Sequence, residues 1–136
     1  MAKIWGKNSK FSLSGTDISA YITEISGLPV TRDLADTTTL GDGGWTHRPG
    51  LEKTSFTIIG FYDDTATTGP EAVLSAAVVA TSAVAWIFGP EGSTATMPKF
   101  SGTCWIDSVE YPVRIGDQVG FRATGRVEGT TTIGTY

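Results

Sequence analysis

The run Thr54–Tyr62 (TSFTIIGFY) constrains the fold of this chain more than any other stretch. Side chains alternate along a β-strand. Phe56, Ile58 and Tyr62 therefore fall on one face, and Ile59 and Phe61 on the other. A strand that is apolar on both faces is buried on both. At 136 residues the chain is long enough for one domain with a real core. In a small sandwich, however, one face of each sheet meets water. The second face of this strand needs a cover, either a helix of the same chain or a neighbouring subunit.

The remaining elements read mainly as β. Lys10–Ser14 alternates, with Phe11 and Leu13 on one face. Gly15-Thr16-Asp17 turns the chain, and Ala20–Ile25 reads as a second strand, which Gly27 ends. Gly69-Pro70-Glu71 has the form of a helix start, with proline at the first helical position and an acid in the first turn. The spacing predicts a short helix over Ala72–Ala80, apolar on nearly every side, and then a strand over Ala83–Phe88. Thr94–Tyr111 reads as two strands, with Pro98 and Pro112 near their ends. Gly120–Glu128 alternates most cleanly: Phe121, Ala123, Gly125 and Val127 face in, and Arg122, Thr124, Arg126 and Glu128 face out. The expected fold is mainly β, a β-sandwich or barrel-like domain over residues 11–128 with one short flanking helix. Residues 1–10 read as an N-terminal arm and residues 129–136 as a flexible C-terminal tail.

The long connection over residues 34–50 is the other unusual feature. A Thr-rich extended arm, Thr31–Leu40, leads to a tip, Gly41-Asp42-Gly43-Gly44, then to Trp45-Thr46-His47-Arg48 and a Pro49-Gly50 turn. Connections this long in a compact domain are functional or disordered. This one carries Trp, Leu, Pro and Thr, which is not the composition of a disordered linker. It reads as an inter-subunit loop, ordered by contact with another copy of the chain. The predicted contact residues are Trp5, Thr37, Thr38, Thr39, Leu40, Trp45, Arg48 and Leu51. Large aromatics in an arm or loop, here Trp5 and Trp45, are favoured anchors of protein–protein contacts. Trp86 and Trp105, within strands, are expected in the core.

Charge and chemistry exclude several classes. Net charge is −4, which argues against gripping nucleic acid through its phosphates. Charged residues make up 18%, below the roughly 25% of an ordinary soluble domain, as expected where partners cover part of the surface. No apolar run is long enough to span a membrane, and Met1–Gly6 lacks the apolar core of a signal peptide. Cys104 is the one cysteine, so it forms no disulfide within the chain; a reducing cytoplasm suits its synthesis. His47 is the one histidine and reads as a surface contact, because a catalytic triad or metal site needs partners it lacks. Asp63 and Asp64, with Asp36, Asp42 and Glu71, match no calcium-loop spacing and read as turns. The glycine-rich tip lacks the phosphate-loop pattern, and Lys3, Lys7 and Lys10 read as a solvated arm. No catalytic set, cofactor site or metal site emerges, and the expectation is a structural interaction protein rather than an enzyme.

The order of parts resembles that of the tail tube (major tail) proteins of long-tailed phages. The shared elements are the entry Asp17-Ile18-Ser19 with Tyr21, the arm Thr38-Thr39 with Gly41-Asp42, the turn Pro49-Gly50-Leu51, and a strand ending Gly60-Phe61-Tyr62-Asp63-Asp64. The resemblance covers roughly residues 10 to 128 in element order, without any catalytic signature. It implies a virion protein of the phage tail, made in the host bacterial cytoplasm. Copies of it would form hexameric rings that stack into a tube through which DNA passes without specific binding. It also implies tape-measure and tail-terminator proteins as partners. The chain lacks the appended C-terminal domain of larger members. The competing readings are a capsid decoration or other minor virion protein, a carbohydrate-binding β-sandwich stacking sugars on Trp5 or Trp45, and, last, a small enzyme.

Overall fold

The computed structural model describes residues 6–28, 30–41 and 43–136. In chain order the strands are β1 Lys10–Leu13, β2 Thr16–Asp17, β3 Ile22–Ser26, β4 Arg32–Asp36, β5 His47–Glu52 and β6 Ser55–Phe61. The helix α1, Pro70–Val78, follows, then β7 Val84–Gly89, β8 Pro98–Glu110 and β9 Gly120–Thr135. Seven strands form one antiparallel sheet in the order β2-β1-β7-β8-β9-β6-β3, and β4 and β5 form a separate two-stranded sheet.

Barrel-like is the apt half of the expected description. Strands β7, β8 and β9 stand between β1 and β6, so a flat sheet would hold β1 and β6 roughly 19 Å apart. Yet the rings of Phe11 on β1 and Phe56 on β6 lie 6.2 Å apart, centroid to centroid. The sheet curls into a half-barrel and closes over its own apolar face. That face supplies the core: Phe11, Leu13, Phe56, Ile58, Trp86, Cys104, Phe121 and Ala123, joined by Ile18 and by Leu74 of α1.

Two glycines set the register at the centre of this sheet. Phe56 pairs with Gly125, and Gly60 pairs with Phe121. A Cβ on Gly125 would lie 2.7 Å from the Phe56 ring, and one on Gly60 would lie 2.7 Å from the Phe121 ring and collide with the Tyr21 carbonyl. Each ring therefore fills the space its glycine partner leaves, on either side of the Ile58–Ala123 pair. A slip of one residue would drive a ring into a side chain and turn the buried set outward.

Helix α1 begins as its sequence dictates, with Gly69 extended at the N-cap, Pro70 in the first turn and Glu71 beside it. Pro70, Val73, Leu74 and Ala77 are buried, and the last three belong to the same core cluster as Phe56 and Ile58. The helix thus covers the concave face of the sheet and not the second face of β6, where Phe61 stays half exposed.

Four expectations are corrected by the structure. Residues 129–136 are not a flexible tail: β9 runs on to Thr135, pairing Ile133 with Phe100 and Thr135 with Pro98. The β-branched run Thr130–Ile133 favours this, and Gly129 at φ +72 falls where the β8–β9 register shifts and absorbs the irregularity. Thr94–Tyr111 holds one long strand rather than two, with Pro98 at its first residue. Ser19–Tyr21 form a 3-10 turn before β3, so only the second part of Ala20–Ile25 is strand. Trp105 lies on the outer face because Cys104 and Ile106 take the inner one; Trp86 is in the core as expected.

Candidate assembly interface

Residues 34–50, expected as a loop, contain most of a β-hairpin. Arg32 pairs with Glu52, Leu34 with Pro49, Ala35 with Arg48 and Asp36 with His47. A threonine rung extends the ladder toward the tip: Thr37 N–H donates to the Thr46 carbonyl at 2.9 Å, and Thr46 N–H donates to Thr38 Oγ1 at 2.8 Å. Asp36 Oδ1 accepts the Thr38 N–H at 2.9 Å. Hydrogen bonds from the Thr38 side chain and backbone hold the Asp36 carboxyl below its ordinary pKa of 3.8. The Thr37 N–H is therefore used within the hairpin.

Hydrogen bonds tie the hairpin to the body at its base. Thr31 N–H donates to Thr54 Oγ1 at 3.0 Å, Lys53 N–H to the Thr31 carbonyl at 2.7 Å, and Thr131 N–H to Glu52 Oε2 at 3.0 Å. Beyond the base its side chains face solvent: Leu34, Leu40, Trp45 and Leu51 are 63%, 109%, 79% and 87% exposed. Cross-strand pairing and alternation put Leu34, Pro49 and Leu51 on one face. An isolated two-stranded ribbon is marginal in water, and among the described residues this one carries an exposed apolar face.

The predicted contact residues Thr37, Thr38, Thr39, Leu40, Trp45, Arg48 and Leu51 all lie on or beside this hairpin. Trp5 and Asp42 lie outside the described residues. Leu34 belongs to the same surface and was missed, as was a second apolar projection, Val113 and Ile115 at 76% and 102% exposure in the β8–β9 connection. The second follows from a legible signal, apolar residues in a segment punctuated by Pro112 and Gly116.

The other candidate groups are occupied locally. Asp63 Oδ1 accepts from both the backbone and the hydroxyl of Thr65, which lowers its pKa and makes it a turn cap. Cys104 is buried among apolar side chains, which pushes its thiol up to about 12 and leaves it unreactive. Among the described residues no three His, Cys, Asp or Glu side chains group as metal ligands. On the outer face of β8 and β9, Arg126 faces Asp107 at 3.5 Å and Arg122 faces Glu110 at 3.9 Å. A cavity of about 360 Å³ opens between β1, the end strand β3 and the segment from Gly6, lined by Phe11, Ile22, Ile25 and Phe88 with Lys7 and Glu24.

No protein-family model matches the chain, and no curated protein matches it. Solved structures do. A chain in the virion of a native gene transfer agent particle superposes at TM-score 0.77 with 13% identity, over 97% of this chain and 99% of that one. The SPP1 tail tube superposes at 0.75 with 12% identity, over 98% and 80%. A chain of the sheath–tube complex of the PVC extracellular contractile injection system, in its extended state, superposes at 0.69 with 14% identity, over 98% and 93%. The identities are low, and the likeness is one of fold: this chain has the fold of the tail tube proteins of phages and contractile injection systems.

Proposed function

We propose that this protein is a non-enzymatic virion protein whose copies close into rings, hexameric by the resemblance, that stack into a phage tail tube through which DNA passes. The observation that carries this reading is the β4–β5 hairpin, ordered on a tail tube fold with its apolar side chains exposed. Two further features support it. The outer face of β6, with Phe61 half exposed, is still uncovered once α1 has packed elsewhere. The sheet also ends in β3, an edge on which a neighbour's strand can pair. Similar solved structures include a chain of the AFP tube-terminating cap and one of a PVC sheath/tube terminator. They support a terminator as partner, with a tape-measure protein alongside it by the resemblance. The place of action is then the tail of the virion, after synthesis in the host cytoplasm.

Weak contact with DNA follows from the charge pattern. Net charge is −4, and Arg122 and Arg126 each face a carboxylate across the strands. A phosphate therefore meets a guanidinium whose charge is already offset. The purified 136-residue chain, concentrated and examined by negative-stain microscopy, is expected to form rings or tubes with a central hole. A persistent monomer at every concentration and salt overturns the reading. Nanomolar binding to a DNA duplex at physiological salt overturns the passive conduit while leaving the tube.

A further inference from the structure

The two ends of the seven-stranded sheet are finished differently. At one end stands β3, five residues long and paired with β6. At the other, β2 is two residues long and covers Ser12 and Leu13 of β1. Beyond Asp17 the chain leaves the sheet, turns through Ser19–Tyr21 and crosses to β3. Ile18 is fully buried on the way, and Ile22, the residue after the turn, pairs with Gly60 of β6. Among the described residues no strand pairs with Phe11 on the side of β1 away from β7.

The turn takes the place of that strand. The Phe11 N–H donates to Ser19 Oγ at 2.8 Å, and the Phe11 carbonyl accepts the Ile18 N–H at 3.2 Å. Ser19 Oγ has two acceptors in reach, the Phe11 carbonyl at 3.2 Å and, closer, Asp17 Oδ1. Its one proton goes to the carboxylate, the stronger acceptor, which leaves a lone pair for the Phe11 N–H. Asp17 Oδ1 also accepts the Ser19 N–H at 2.8 Å and so holds the hydroxyl in place. Both backbone groups of Phe11 are thus satisfied without a second strand. Charge guards the same edge: Lys7, Lys10 and Asp17 line one recess with Ser19. An incoming strand would have to break these hydrogen bonds and strip water from the charges.

We infer that Asp17-Ile18-Ser19 is an edge cap, which closes the β1 end of the sheet against strand addition by another chain. An exposed edge is a template for any extended segment that meets it. A sheet open at both ends can grow without limit, as in a cross-β stack. One sealed end stops that growth after a single pairing. Ser19 is a positioning residue in this device: its hydroxyl acts by fitting the Phe11 N–H, and Asp17 acts by orienting that hydroxyl. The cap belongs to the single chain and stands whether or not copies close into rings.

The test compares the 136-residue chain with its Ser19→Ala and Ser19→Thr variants, at a concentration where the wild type shows no rise in light scattering. Ser19 is partly exposed, so folding is expected to hold. Ser19→Ala takes away the partner of the Phe11 N–H. The Phe11 amide should then exchange about fivefold faster or more, as for one lost hydrogen bond, while the β6–β9 amides keep their rates. Thioflavin-positive fibrils should appear where the wild type gives none. Ser19→Thr keeps the hydroxyl and should restore both slow exchange and dispersed chains. Unchanged exchange at Phe11 in Ser19→Ala overturns the cap. Faster exchange there without fibrils overturns its role as a guard. Equal acceleration across β6–β9 makes Ser19 a residue of the fold as a whole and overturns the cap as well. Rings or tubes of the wild type at higher concentration are scored separately and bear on the tube alone.

Discussion

Strands β6 and β9 and the hairpin β4–β5 are both antiparallel pairs, yet different forces hold them. In β6–β9 every second side chain is buried: Phe56, Ile58 and Gly60 on one strand face Phe121, Ala123 and Gly125 on the other. In β4–β5 nearly every side chain is exposed, and the ladder rests on backbone bonds and a threonine rung. The first pair is buried within the single chain. The second has the geometry of a strand pair without the burial that stabilises one. That difference separates a pair held by its own burial from one whose side chains face solvent in the single chain.

Changes in the first region should unfold the domain. Phe121→Ala removes a ring that is 1% exposed and leaves a cavity against Gly60, costing about 3–5 kcal/mol in chemical denaturation of the monomer. Gly60→Ala acts by overpacking. Its Cβ would meet the Tyr21 carbonyl and the Phe121 ring, and a backbone oxygen cannot move cheaply, so a loss of about 1–3 kcal/mol is expected in the same measurement. If Phe121→Ala left stability unchanged, the half-barrel core described above would be wrong.

The contrast also explains what could be read in advance. The alternation of Gly120–Glu128 and the Gly69-Pro70-Glu71 start were legible because local pattern and final environment agree. The tail was misread because Gly129 and Gly134 look like breakers, whereas pairing with β8 overrides local preference. Trp105 was misplaced because Cys104, Trp105 and Ile106 are all apolar, and an apolar triplet carries no phase; packing chose the two smaller side chains. The hairpin gave no strand signal because neither of its faces is buried in the single chain, so no alternation had to be encoded. Of the candidate contact residues, the shared location was legible from the loop, and the internal use of Thr37 was not.

Trp45→Ala sharpens the comparison from the other side. The side chain is 79% exposed, so the monomer's melting transition should move by no more than about 0.5 kcal/mol. Assembly should weaken by a few kcal/mol, as for an aromatic anchor, read as a higher critical concentration in light scattering. A destabilisation equal to that of Phe121→Ala, with assembly intact, would make the hairpin part of the core.

The smallest effect uses chemistry that the two regions share. Asp36 caps Thr38 in the hairpin, and Asp63 caps Thr65 after β6; hydrogen bonds to the carboxylate lower both pKa values from 3.8. A carboxyl with a lowered folded pKa contributes stability that is full above its unfolded value and is lost as pH falls through the folded one. Both caps should therefore weaken in acid, below about pH 4. Their consequences should differ. Asp36 caps the exposed end of the ladder beside the threonine rung, so protonation should speed hydrogen exchange at the Thr38 and Thr46 amides while the β6–β9 amides stay protected. At Asp63 the neighbouring chain enters α1 through buried Gly69 and Pro70, so the same protonation should be felt at the Thr65 amide alone. Asp36→Ala removes the cap at every pH. It should give the acid-like exchange pattern in the hairpin at neutral pH, with global stability unchanged. Uniform acid exchange across hairpin and sheet would show that the two regions open together, and the distinction between a folded body and a presented hairpin would fail.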